Sequence, residues 1–281
     1  DNNYNEYYSN IGSGREFDVV RNIVGHRLNW SPNDKLIISG SELVVYANRS
    51  IDLTYFVPFA PFFVLQTYIG EIDNIVLSID FEYFLFEEFK LYSSLFIDEW
   101  SPPYTFDKDN RNWFGWQFGI NLKDFVIRDS QLNVEHTWTD HRIYRHRFAV
   151  NNYYSWGYPI GFWGGAHAEE LYFDYNFNYL NTNISLVFSD AIRGLMTSSM
   201  LSDQYNRPND YPIYIRYSDL NEKKRKFSIL LQKNLNENLD IGISYTFVDW
   251  KNAGFVPSDS LTIFPNMIKN SIGLNLNYSF F

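Results

Sequence analysis

The sequence predicts an all-β fold: a transmembrane antiparallel up-and-down β-barrel, with about 11–12 strands visible and forming part of a larger barrel. Three observations predict it. Apolar and polar residues alternate with period two along most of the 281-residue chain, and no helical periodicity competes with that pattern. The connections alternate short and long in strict order. One face of the alternating segments is rich in Phe, Tyr, Leu and Ile, while the other carries charged side chains, as a lipid-facing band and a wet lumen require.

The segments run as follows. Residues 17–30 lead through Ser31-Pro32-Asn33-Asp34 into 35–47. Segment 73–86 contains Ile75-Val76-Leu77-Ser78-Ile79-Asp80-Phe81-Glu82-Tyr83, turns at Glu87-Glu88 and returns over 88–99. Segments 112–123 and 131–144 are joined through Lys123 to Ser130, and 168–180 is joined to 182–193 at Asn181. Segment 213–234 passes through Leu235-Asn236-Glu237-Asn238 into 238–250, in which Leu239, Ile241, Ile243, Tyr245 and Phe247 alternate with small or polar residues. Segment 269–281 closes the chain with Ile272, Leu274, Leu276, Tyr278 and Phe280 in phase. Between these pairs lie the long connections 48–72, 100–111, 145–167, about 194–212 and 251–268. A soluble sandwich has no reason to put every long loop at one end of its strands, whereas an outer-membrane barrel has short periplasmic turns and long extracellular loops. A soluble lipocalin-like barrel would reverse the faces, and a propeller would show a blade repeat that is absent here.

Composition narrows the function. The chain has 25 Phe, 22 Tyr and 8 Trp, 20% of its residues, and a net charge of −10, so a nucleic-acid partner is disfavoured. It has no cysteine, which excludes disulfides and thiolate metal sites, and no apolar run long enough for a spanning helix. Residues 1–281 read as one outer-membrane barrel domain without a second domain. If Phe281 ends in the periplasm, eleven crossings start on the wrong side, so an upstream strand is expected either within residues 1–14 or before them, and the domain is expected to be N-terminally truncated.

Several stretches resemble the capsule assembly Wzi-like outer-membrane protein family, in its C-terminal part. They are His26-Arg27-Leu28-Asn29-Trp30 leading to Glu42 and Tyr46, Asp52 to Phe59, Asp73 to Phe81, Leu91 to Glu99, Val134-Glu135-His136-Thr137-Trp138, Tyr153 to Gly161, and Ala168-Glu169-Glu170-Leu171. Together they cover about residues 20–180. The resemblance implies a large bacterial outer-membrane barrel that attaches or organises capsular or other surface polysaccharide, with the family's helical periplasmic portion upstream. The segment 199–222 has no counterpart in that pattern, and the final aromatic phase falls on Phe280 rather than Phe281.

The candidate polysaccharide contacts concentrate in one long loop: Arg145, His146, Arg147, Tyr153, Tyr154, Trp156, Tyr158 and Trp163, with His167 beside them and Gly157, Gly161, Gly164 and Gly165 bending the backbone. Aromatic faces stack on sugar rings and basic groups pair with acidic ones. The same aromatics could instead fold inward and plug the mouth. Trp100, Tyr104, Trp113 and Trp116 suggest a second such loop. A lumen network is expected among Arg21, Arg27, Asp80, Glu82, Lys90, Asp98, Glu135 and Asp174. The run Tyr55 to Leu65 reads as an ordered loop tucked into the barrel or over its rim, because Pro58 and Pro61 break regular structure. His136, His141 and His146 match no metal spacing, and Glu169-Glu170 and Asp98-Glu99 point to opposite faces, so neither pair can flank one glycosidic bond. The expectation is therefore a monomeric non-enzyme without cofactor or metal, in contact with polysaccharide and outer-membrane lipid. A substrate-diffusion porin with an acidic lumen is the rival, and a soluble carbohydrate-binding β protein is a third reading.

Overall fold

The computed structural model describes residues 20–57, 60–70, 72–105, 112–146, 148–196, 216–236, 238–257 and 261–278. Their strands are β1 (Arg21–Asn33), β2 (Leu36–Ala47), β3 (Asn74–Phe86), β4 (Phe89–Glu99), β5 (Trp113–Lys123), β6 (Gln131–Thr139), a small hairpin β7 (Tyr154–Ser155) and β8 (Tyr158–Pro159), β9 (Ala168–Tyr179), β10 (Thr182–Gly194), β11 (Asn221–Asn236), β12 (Leu239–Lys251) and β13 (Met267–Tyr278). All but the small hairpin form one 11-stranded antiparallel sheet in the order β1-β2-β3-β4-β5-β6-β9-β10-β11-β12-β13. Among the described residues β1 and β13 do not pair with each other, so the observed sheet is open. Most strands are long enough to cross a bilayer at the tilt of a barrel, which takes about 9–11 residues.

Register assigns the faces, because directly paired residues lie on the same side of a sheet. One row reads Leu36, Tyr83, Leu91, Ile120, Val134, Phe173, Phe188, Phe227 and Phe247 from β2 to β12, all apolar. On the opposite face a row reads Ser39, Asp80, Ser94, Gln117, Thr137, Glu170, Ala191, Lys224 and Trp250. The alternation in the sequence therefore becomes two chemically distinct surfaces nine strands wide.

Short turns close one end. Leu180 and Asn181 link β9 to β10 with φ of 49° and 57°, the doubly left-handed turn that matches strand twist. At the other end the long connections pack into two separate cores. Val45, Val76, Trp113, Ile143, Tyr144, Tyr153, Ala166 and Met196 form one. Val44, Tyr46, Tyr55 and Phe62 form the other.

Four sequence expectations change here. The segment expected over 131–144 stops at Thr139, because Asp140 to Tyr144 turns away and is buried. The strand expected from 213 begins at Asn221. Trp113 and Trp116 belong to β5 rather than to a loop; Trp113 lies in the first core, Trp100 is exposed, and the side chain of Tyr104 lies outside the described residues. The run Tyr55 to Leu65, expected as an ordered loop in the barrel or over its rim, has regular structure. It forms a 3-10 turn (Leu53–Phe56) and then a helix, α1 (Phe62–Ile69), packed on the apolar face. Pro61 immediately precedes α1, where a proline costs no helical hydrogen bond, so it starts the helix instead of breaking it. Pro58, Arg147 and the terminal Phe280 and Phe281 lie outside the described residues, as does most of 199–222.

Candidate functional site

The 140–167 connection folds down onto the polar face. Its root is a buried ion pair: the Asp140 carboxylate accepts from Arg142 Nε at 2.8 Å and from the Arg142 backbone N–H at 2.9 Å, and Arg142 also donates to the Asn112 carbonyl at 2.9 Å. Burial alone would raise the Asp140 carboxyl, but hydrogen bonds and charge from Arg142 outweigh it and hold the group below its ordinary range. Burial, with Arg216 as a second cause, pushes the His167 ring down to about 4. Burial likewise brings His141 to about 4 against the opposing pull of Asp140. Both rings are therefore neutral at physiological pH. His167 stacks on Tyr217 with ring centroids 5.0 Å apart, and its Nδ1 lies 2.9 Å from the Leu195 carbonyl. Gly194 is required beside it, since a Cβ there would overlap the imidazole.

Above the root, side chains satisfy the backbone of the connection where it crosses the sheet, as buried polar groups require. Arg21 donates to the carbonyls of Asn152 and Tyr154, and the Asp98 carboxylate accepts the Tyr144 N–H. Asn74 donates to the Asn151 carbonyl at 2.9 Å, and the Tyr153 hydroxyl donates to the Leu43 carbonyl at 2.8 Å. The Tyr144 hydroxyl accepts the Phe162 N–H at 3.1 Å; its own acidity is weakened by burial, to a pKa of about 12.

The β7–β8 hairpin rises from this base. Trp156 and Gly157 occupy its turn with φ of 52° and 79°. Trp156 is 90% exposed and Tyr158 75%, the most solvent-presented aromatics of the connection. Trp163 is 45% exposed; its indole N–H donates to Glu170 at 2.5 Å, and Glu170 also accepts from Ser189 at 2.5 Å.

The structure thus separates the eight sequence candidates. Trp156, Tyr158 and Trp163 reach solvent. Tyr153 is fully buried and belongs to the core, with Tyr154 packed against it, so both hold the loop rather than present it. Arg145 and His146 are half-buried, and the His146 N–H donates to the Asn152 side chain at 2.7 Å. Of the expected lumen network, Arg27 pairs with Asp80, and Lys90 reaches Glu82 at 3.1 Å. Glu135 instead accepts from Gln117 at 2.8 Å, and Asp174 from Asn176 at 2.9 Å. Arg21 and Asp98 serve the loop. The network is therefore two ion pairs and several neutral partners. His136 lies on the apolar face, 2.9 Å from Glu169, and Glu169 and Glu170 engage different partners on opposite faces. Among the described residues no three potential metal ligands gather.

Sequence reading missed Lys224 and Trp250, which register places directly opposite each other on the polar face. The Lys224 ammonium lies 4.4 Å from the Trp250 ring centroid and 5.8 Å from that of Trp163. Trp250 donates its indole N–H to Glu222 at 2.6 Å, and Glu222 also pairs with Arg193. One signal was available: Trp250 is a bulky aromatic in the phase that β12 otherwise fills with Asp240, Gly242, Ser244, Thr246 and Val248.

No protein-family model matches the chain, and no curated protein matches it. Among solved structures it is similar to Wzi, an outer membrane protein involved in group 1 capsule assembly in Escherichia coli and described as a carbohydrate-binding β-barrel. The TM-score is 0.56 at 16% sequence identity, over 90% of this chain. The chain spans about half of that structure, 51% of its length. The fold is therefore Wzi-like.

Proposed function

We propose that this chain is the membrane-spanning part of a bacterial outer-membrane β-barrel that holds or organises capsular or other surface polysaccharide, acting as a binding protein and not as an enzyme. The carrying observation is the 140–167 connection. Its root is tied to the polar face by buried side chains, so the exposed Trp156–Tyr158 hairpin is presented on a rigid base and pays little ordering entropy on binding. Likeness to a carbohydrate-binding barrel supports this reading at the level of the fold. The row of apolar side chains across nine strands supports contact with outer-membrane lipid, and closure of the sheet through further strands would complete the barrel.

A substrate-diffusion porin is the rival. The packing of 140–167 over the polar face at the long-loop end favours the tether, because that surface would line the pore. Planar-bilayer conductance separates the two: an open, size-selective conductance would sink the tether. Purified capsular polysaccharide should bind the detergent-solubilised chain, and replacing Trp156 and Tyr158 by Ala should weaken binding about tenfold or more. Unchanged binding in that variant would exclude the hairpin as the contact.

A further inference from the structure

We infer that Trp163, Lys224 and Trp250 form a subsite on the polar face for a sugar ring bearing a carboxylate, so that the bound polysaccharide contains uronate-type residues. The inference rests on the polysaccharide-binding reading and adds to it a ligand class and two strand residues.

The geometry carries the argument. Each indole is fixed at its nitrogen, Trp163 by Glu170 at 2.5 Å and Trp250 by Glu222 at 2.6 Å. Their orientation is thereby set by carboxylates of β9 and β11. Glu222 is neutralised by Arg193, and Glu170 is engaged by both Ser189 and Trp163. The Lys224 ammonium sits 4.4 Å and 5.8 Å from the two ring centroids and forms no ion pair among the described residues. Aromatic faces attract a cation through their quadrupole but leave its N–H donors without lone-pair acceptors. A carboxylate supplies such acceptors through short, charge-assisted bonds. Lys226, two residues along β11 and therefore on the same face, adds to the positive potential. Trp163 is almost half exposed, so part of its ring remains open for the C–H face of a pyranose. An ammonium beside an accessible indole matches an anionic sugar better than a neutral one, which would gain the stacking and leave the charge unanswered.

The test uses the full chain in detergent, with a mannuronate hexamer as the acidic probe and maltohexaose as the neutral one, followed by isothermal titration. The native chain should bind the uronate more tightly than maltohexaose, with affinity falling as salt rises. Lys224→Gln and Lys224→Met should each lose about tenfold or more for the uronate, whereas Lys224→Arg should retain binding, which separates loss of charge from loss of fold. Lys223→Gln removes the same charge from the opposite face and should leave binding as in the native chain. Native-like uronate binding in both neutral Lys224 variants would overturn the subsite, as would preference for maltohexaose or failure to bind the uronate. In each of those cases retained binding of whole capsular polysaccharide keeps the tether standing, and loss of that binding removes the tether as well.

Discussion

The 48–72 and 140–167 connections leave the same end of the sheet and cover opposite faces of it. Val44 and Val45 show the division: they are adjacent, 0% and 1% exposed, and buried in different cores. Val44 meets Tyr46, Tyr55 and Phe62 on the apolar side, while Val45 meets Tyr153, Ile143 and Trp113 on the polar side. The two covers also differ in construction. Segment 48–72 is attached mainly by an aromatic chain in which Phe62 packs 4.3 Å from His26 and 5.1 Å from Tyr55, measured between ring centroids. Glu42 accepts the Phe62 N–H at 2.8 Å, and the carboxylate of Asp73 clasps Arg49 and Tyr55. Its outer surface exposes Ile51, Leu53, Phe56, Phe63 and Val64, side chains that meet lipid in the outer-membrane reading. Segment 140–167 adds to its apolar core a set of polar side chains that satisfy its backbone, and it presents Trp156 and Tyr158 to water. A cover on the apolar face can leave apolar groups outward; a cover on the polar face must satisfy its polar groups one by one.

That contrast can be broken from either side. Asp140→Ala should have the largest effect, since it breaks the buried ion pair with Arg142 by removing one partner, at a cost of about 3–5 kcal/mol. Limited proteolysis should then cut within 140–167 while 48–72 stays protected. Phe62→Ala should do the reverse: it removes a fully buried ring, destabilises by about 3 kcal/mol and frees α1 for hydrogen exchange with the polar-face cover intact.

Acidification should sharpen the difference. His141 and His167 are held neutral, with folded values of about 4 below the ordinary 6.5, so the unfolded loop binds more protons between those limits. Stability from these rings is present in full above pH 6.5 and is lost as the pH falls toward 4. Between pH 7 and 6 the expected loss is about 0.5–1 kcal/mol per histidine, seen as faster exchange in 140–167. Asp52, in the other segment, is held below its usual range by its Thr54 and Arg49 contacts, which outweigh burial, and so keeps its contribution until the pH drops below about 4. The smallest effect serves as a control at the far end of the sheet. Leu180→Asn relieves a left-handed leucine and should raise stability by about 1 kcal/mol or less in urea unfolding, changing neither loop.

Much of this was legible in the chain itself. Alternation located all eleven strands of the sheet, and the short-long rhythm of connections predicted which end would carry the covers. Both are local signals: a strand shows its faces every second residue, and a tight turn needs few residues. The connection proposed to carry the site stands out too, because Trp156, Gly157 and Tyr158 lie in one aromatic, glycine-rich stretch. Misreadings arose where a choice depended on distant groups. Tyr153 and Tyr158 are the same residue type five positions apart, and it is packing against Val45, Val76 and Trp113 with a hydrogen bond to the Leu43 carbonyl, all on remote strands, that makes one of them core.

By itself, then, the sequence determined the antiparallel sheet, its two chemically different faces and the end from which the long connections rise, since each depends on neighbours within a few residues. Tertiary structure decided which face each connection covers, placing α1 on the apolar side through Glu42 and Val44 and the 140–167 loop on the polar side through Arg21, Asp98 and Val45. It also brought Lys224, paired with Trp250 across β11 and β12, beside Trp163 of the 140–167 connection. Those outcomes rest on contacts between parts of the chain 20 to 133 positions apart, from Glu42 with Phe62 to Arg21 with Tyr154, which leave little trace in any local pattern.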